Sequence, residues 1–393
     1  MSYGKYWMWR NNYKIMVDIT TRCNAGCPQC HRTNVENISK KADWLPDINW
    51  DLETFKKAYP PEVCQSTSMF DFCGTWGDPI ANNNLPDMVK YIQESNPNCE
   101  VNINTNGSMR NEEWWWNLVM AGGKNLIMVF AVEGTNQEMH EGYRRNTFLD
   151  KILNNMELVS NSPVKIHTQT LVWKHNEDYL EEIEDMCIKH GSQRHHIMLT
   201  DRWGNTKEHD GYKANDNVLN FKNHKGENLQ LIKTDLEPLK NNSTYGLQKD
   251  RRRYTRKTST LNTHSSERIR KMKELKKELN ITCEWGVKNK VVVNPDGQVW
   301  PCCFFCNTTF KSKFTNAGDS KFQQNPLIQK YKKYEKELNV FGPNNLNDII
   351  NHHWFKTLLP QSWSTDNPVP QCAKHCGKFS AIDKMVKNAY VEN

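Results

Sequence analysis

The chain has no apolar run of about 18 residues or more, so no segment is built to cross a membrane as a helix. Its beginning, Met1-Ser2-Tyr3-Gly4-Lys5-Tyr6-Trp7-Met8-Trp9-Arg10, lacks the apolar centre of an export signal, which predicts a cytoplasmic protein. There is no internal repeat, which sets aside solenoids and propellers. No sign of charge dominates either: 52 Lys and Arg against 45 Asp and Glu give +7, too modest an excess to imply a nucleic-acid partner by itself. Apolar residues are scarce as well, at 37% with a mean hydropathy of -0.82, which points to long polar insertions rather than a thin core. At 393 residues the chain exceeds one comfortable core, so two or more domains are expected.

Cysteine, by contrast, is plentiful and clustered, with 13 in all. In a reducing compartment clustered thiols read as metal ligands rather than disulfides. Cys23, Cys27 and Cys30 stand in Arg22-Cys23-Asn24-Ala25-Gly26-Cys27-Pro28-Gln29-Cys30, directly after a strand-like run. Three thiolates on one turn can hold a metal centre but leave a ligand position open, and open positions belong to catalysis more than to structure. Taken alone, the triplet also suits a zinc ion completed by His31.

Up to about residue 204, β-like and helix-like runs alternate. The expected strands are Lys14–Ile19, Ser68–Cys73, Glu100–Asn104, Leu126–Val132, Val164–Trp173 and His195–Thr200. The expected helices include Asp51–Ala58, Leu85–Glu94, Asn111–Ala121, Phe148–Ser160 and Asn176–His190. Such alternation predicts βαβ units and a parallel sheet. The fold class is therefore α/β: a partial (βα)6 barrel over 1–204, with its chemistry at the carboxyl ends of the strands. Residues 205–280 read as a polar linker or insertion, with a basic run at Lys249–Lys257 and a charged helix at Ser266–Leu279. Residues 281–393 read as a small α+β cysteine-rich domain, opened by a hairpin over Val291–Trp300 with an Asn-Pro-Asp-Gly turn. Cys283, Cys302, Cys303 and Cys306 flank that hairpin, and Cys372 and Cys376 follow far downstream.

The cysteine triplet after a first strand resembles the signature of radical S-adenosylmethionine (SAM) enzymes. Cys73-Gly74-Thr75-Trp76-Gly77-Asp78-Pro79 is similar to that family's Gly-Gly-Glu-Pro motif, Asn104-Thr105-Asn106-Gly107 to its Thr-Asn-Gly turn, and Ala131-Val132-Glu133-Gly134 to the place of its ribose-binding acid. Three positions depart from the pattern: Gln29 stands where an aromatic residue is common, and Trp76 and Asp78 replace the usual types. Cys283, with Gly297 and Cys302 behind it, is similar to the opening of the SPASM and Twitch extensions. With only Cys372 and Cys376 remaining downstream, Twitch is the closer likeness.

The resemblance implies a [4Fe-4S] cluster on Cys23, Cys27 and Cys30 that binds SAM and cleaves it to a 5′-deoxyadenosyl radical. It implies a second [4Fe-4S] cluster on Cys283, Cys302, Cys372 and Cys376, with Cys303 and Cys306 as possible replacements. Main-chain groups of Gly77, Asp78 and Pro79 would hold the methionyl amino group, Glu133 the ribose hydroxyls, Arg145 (or Arg144) the methionyl carboxylate, and Asn176 the ribose or carboxylate. On the residues alone, Glu133 also suits a helix N-terminus and Asn176 a helix N-cap. The implied partners are SAM, a peptide or protein substrate, and an electron donor such as flavodoxin or ferredoxin, with no membrane. The basic run keeps an RNA-modifying enzyme as an alternative, and a zinc protein binding nucleic acid or a partner is the non-catalytic one.

Overall fold

Along the first strand Tyr13, Ile15 and Val17 are fully buried, while Lys14 and Met16 between them are only partly so. A period of two puts one set against covering helices and the other on the inner face of a curved sheet. The same logic builds β1 (Tyr13–Val17), β2 (Thr67–Phe72), β3 (Glu100–Thr105), β4 (Leu126–Ala131), β5 (Lys165–Leu171) and β6 (Arg194–Met198), which lie side by side in chain order, all parallel. Between them run α1 (Leu52–Ala58), α2 (Pro61–Gln65), α3 (Leu85–Ser95), α4 (Glu112–Gly122), α5 (Gln137–Glu141), α6 (Leu149–Ser160) and α7 (Leu180–Lys189). Asp51 caps α1 and Asn111 caps α4, each accepting a hydrogen bond from the helix's third backbone N–H. The computed structural model describes residues 12–200, 217–238, 254–256, 279–315, 320–363 and 368–379.

All six expected barrel strands and all five named helices are present, with ends that differ by a few residues. The largest difference is at α7, which starts at Leu180 rather than Asn176 because Asn176 turns its side chain back onto the strand ends.

The sheet is wider than six strands. Lys290–Val293 pairs in parallel with the free edge of β1, and Val299–Trp300 pairs antiparallel beyond it, giving eight strands. The expected hairpin is there, but it extends the barrel sheet across the anticipated boundary at residue 281. Its turn needs Gly297, which has φ +81 and whose added Cβ would lie 2.5 Å from Phe341 and Asn339. On the inner face Asp71 accepts hydrogen bonds from Asn102 (2.8 Å), Asn104 (3.1 Å) and Lys290 (2.6 Å), tying β2, β3 and the added strand together. A buried carboxylate left without those partners would be strongly destabilising.

The supposed linker is partly structured. β7 (Val218–Lys222) and β8 (Asn228–Ile232) form an antiparallel hairpin. Leu219, Phe221 and Leu231 are buried against Ala25, Cys27, Val35, Ile38, Tyr143 and Trp173, so the hairpin covers the cysteine loop. Backbone bonds secure it, from Lys222 N to Val35 O (2.8 Å) and from Ile38 N to Lys222 O (3.1 Å). Tyr254–Arg256 is a short strand paired with Leu236–Pro238, and Leu279–Ile281 is a strand rather than a helix end. The remainder of the basic run and residues 266–278 of the expected charged helix lie outside the described residues. Among the described residues no helix is long and apolar enough to cross a membrane.

The barrel's outer core is rich in rings: Phe70 is fully buried, 5.1 Å from Tyr59 and 5.8 Å from Phe55. Phe70→Ala should cost about 3–5 kcal/mol in denaturant unfolding. Met120→Ser, at a position 79% exposed, should change stability by less than about 0.5 kcal/mol.

Candidate active site

The triplet sits on the loop that leaves β1, at the carboxyl edge of the sheet. Gly26 is required there, since a Cβ would come within 2.2 Å of Ile38 O. N–H groups converge on the sulfurs: Ala25 N lies 3.3 Å from Cys23 Sγ, Asn106 Nδ2 lies 3.6 Å from the same atom, and Arg144 Nη1 lies 3.8 Å from Cys27 Sγ. Burial pushes the Cys27 thiol up to about 11, with the Arg144 guanidinium pulling it back down, and burial raises Cys23 further.

The loops leaving the next strands lock onto this one. Asp78 is buried and accepts hydrogen bonds from Thr105 Oγ1 (2.8 Å), Asn106 N (2.8 Å) and Ile80 N (3.1 Å). Asp78 N donates to Arg22 O at 2.8 Å, and a Cβ on Gly77 would lie 2.4 Å from Thr20 O, so only glycine lets these two loops touch. Asn106 also bonds Asn24 Oδ1 at 2.9 Å, and Asn24 reaches Ser108 Oγ at 2.8 Å. Trp76 is fully buried against Phe310 (4.9 Å) and Trp44 (5.6 Å), which anchors the motif loop to the C-terminal helix Cys303–Phe314.

Beyond β4, Glu133 is fully buried in a two-pronged ion pair with Arg144, at 2.9 and 3.0 Å. Its neighbour Arg145 turns instead toward the Phe221 ring, 5.7 Å away, while its carbonyl accepts from Gly26 N. Asn176 is fully engaged as a clamp: Nδ2 donates to Glu133 O and Leu171 O, both at 3.0 Å, and Oδ1 accepts from Trp173 N at 2.8 Å. The structure thus gathers Cys23, Cys27, Gly77, Asp78, Glu133 and Arg144 around one loop, with Pro79 opening the short helix behind it. Asn176 and Arg145 serve as supports at its rim.

Two residues of this site escaped the sequence reading. Asp18 accepts hydrogen bonds from Thr75 N (2.7 Å), Trp76 N (3.3 Å) and the Cys73 thiol (3.4 Å), and burial lifts its carboxyl to about 6. Its only signal is an acidic residue emerging from an apolar strand five places before Cys23. His140 accepts from Glu133 N at 3.3 Å and meets Thr147 Oγ1 at 3.0 Å.

The pattern of strand-end loops around a cysteine triplet has a match. Residues 17–187 match the sequence model described as the radical SAM superfamily. Those residues form a radical SAM domain.

Over 115 residues the chain is 27% identical to 7,8-dihydro-6-hydroxymethylpterin dimethyltransferase of Methanocaldococcus jannaschii, a stretch covering 29% of the chain and 21% of that protein. Among solved structures it is similar to anSMEcpe with bound AdoMet and Kp18Cys peptide, at 12% identity and TM-score 0.47, covering 90% of this chain and 84% of that one. It is also similar to Streptococcus suis SuiB bound to S-adenosylmethionine, at 11% identity and TM-score 0.44, covering 76% of this chain and 61% of that one. The chain therefore spans about a fifth of the curated relative it matches and under two thirds of SuiB.

A radical SAM domain implies a [4Fe-4S] cluster on the triplet, and the residues fit it. The donor set is three soft thiols on one loop, each suited to iron, with N–H donors already aimed at two of the sulfurs. Among the described residues no three His, Cys, Asp or Glu side chains are grouped closely enough for a single metal ion, so the fit rests on this donor set. Cys283, Cys302, Cys372 and Cys376 line one apolar cavity with Trp285, Phe304 and Trp363. Burial raises all four thiols, and Cys283 is pushed to about 11. Cys303 and Cys306 do not line it; Cys306 lies within electrostatic reach of Asp18 and Cys73 on the barrel side.

Burial, with help from the Arg144 charge, lowers the His140 imidazole to about 3. The unfolded chain takes up a proton there near pH 6.5 and the folded one does not. The stability held at neutral pH is therefore lost as pH falls from about 6.5 toward 3. His140→Gln should flatten that decline in Tm against pH relative to the native chain; parallel curves would contradict the assignment.

Proposed function

We propose that this chain is a radical SAM enzyme that holds a [4Fe-4S] cluster on Cys23, Cys27 and Cys30, binds SAM at its open position, and acts on a peptide or protein. A second [4Fe-4S] cluster on Cys283, Cys302, Cys372 and Cys376 makes the C-terminal part Twitch-like. The observation that carries the first statement is the mutual locking of four strand-end loops around the triplet, through Asp18, Asp78, Asn106 and Arg144. The peptide reading rests on the C-terminal thiol set, which in this family accompanies such substrates.

A cluster held by Cys23, Cys27 and Cys30 would supply one electron for the cleavage of SAM into methionine and a 5′-deoxyadenosyl radical. The protein's own share is binding, orientation and exclusion of water. The Gly77–Pro79 main chain would hold the methionyl amino group, brought close by the missing Cβ at Gly77. Glu133 would accept from the ribose hydroxyls, and Arg145 would pair with the methionyl carboxylate. The β7–β8 hairpin seals the outer side of the cysteine loop with Leu219 and Phe221. Electrons would come from a flavodoxin or ferredoxin in the cytoplasm.

Protein purified without oxygen should be brown, with about eight iron and eight sulfide per chain for two four-iron clusters. Reductant with SAM should release 5′-deoxyadenosine. Cys27→Ala should abolish that release, whereas Cys376→Ala should preserve SAM cleavage uncoupled from substrate. A colourless protein with stoichiometric zinc, or cleavage that survives Cys27→Ala, would overturn the proposal.

A further inference from the structure

Arg144 is held more tightly than a surface arginine waiting for a ligand. Its backbone N–H donates to His140 O at 2.9 Å, and its carbonyl accepts from Thr147 Oγ1 at 2.6 Å. The guanidinium is 15% exposed, forked onto the fully buried Glu133 and set 5.3 Å from the Tyr143 ring. The prong left over, Nη1, points at Cys27 Sγ. The turn that carries it is fastened to the cysteine loop at two more places, by Gly26 N to Arg145 O (2.9 Å) and by Asn24 Nδ2 to Asn146 O (3.2 Å).

We infer that Arg144 is a positioning residue whose fixed N–H and charge, steadied by Glu133, set the reduction potential of the iron–sulfur centre held by Cys27. The inference deepens the cluster reading above and rests on it. Its physical basis is that hydrogen bonds to ligand sulfurs and local net charge govern cluster potentials. A donor on a thiolate stabilises the reduced, more negative state and so raises the potential. The Glu133 carboxylate works the other way but lies behind the guanidinium, and Arg144 has the larger effect on the Cys27 sulfur. The fork is what fixes the direction of Nη1: a planar guanidinium bound at two corners has its third corner aimed. Lysine, a point charge on a flexible stem, would keep the charge without the aim.

The test is a dye-mediated potential titration, followed by EPR, of the anaerobic protein without SAM. Arg144→Leu should shift the triplet centre to a more negative midpoint, and Arg144→Lys should fall between it and the native protein. SAM is absent, so a residue that acts only by gripping SAM would move none of these values. An unchanged midpoint in Arg144→Leu with full iron content would overturn the inference. Should that variant fail to fold, an unchanged midpoint in Arg144→Lys would overturn it equally. A native protein with no iron–sulfur signal at all would instead refute the cluster reading beneath it.

Discussion

A carboxylate removed from water must find partners, and the site is organised by how Asp78 finds its own. Its two oxygens take the Thr105 hydroxyl and the backbone N–H groups of Asn106 and Ile80, which pins the loop after β2 to the end of β3. The Asn106 side chain is thereby fixed toward Cys23 and Asn24. Asp18 does the same one strand earlier for Thr75 and Trp76, and Glu133 does it two strands later for Arg144. Three buried acids at the carboxyl edge of one sheet thus convert four separate loops into a single frame around the triplet. Each would be costly if its partners moved, which is why the frame is rigid.

Geometry of the sheet supplies the rest. Parallel strands send all their outgoing loops to one edge, so residues far apart in sequence meet there by construction. The hairpin Lys290–Trp300 joins the β1 edge of the same sheet, beside the strand that leads into the triplet, and continues into the helix Cys303–Phe314, whose Phe310 packs on Trp76. One continuous sheet therefore connects the cysteine triplet to the cavity lined by the other four thiols. Cys73 and Cys306 lie on that connecting side, with Cys73 bonded to Asp18.

Much of this was legible in the sequence, for a local reason. Strands with an apolar period of two, helices with Asp51 or Asn111 at their caps, and motifs at strand ends all depend on neighbours in the chain. The addition of Lys290–Val293 to β1 was not legible, because pairing across more than 270 residues leaves no local mark. The β7–β8 hairpin was missed although Leu219, Phe221, Leu229 and Leu231 alternate correctly; the polar composition around them concealed a short apolar face. Asp18 carried no recognisable spacing. Between Arg144 and Arg145 the sequence offered adjacent identical side chains, and only the fold decides that Arg144 faces Cys27 while Arg145 faces Phe221.

The central claim is that Cys23, Cys27 and Cys30 hold a cluster whose remaining iron takes SAM. The most direct measurement is electron–nuclear double resonance on the reduced protein with SAM labelled with 15N at its amino group. The account predicts a nitrogen coupling that is present in the native protein and in Cys376→Ala. A reduced cluster signal from the triplet with no coupling to the labelled nitrogen would contradict it.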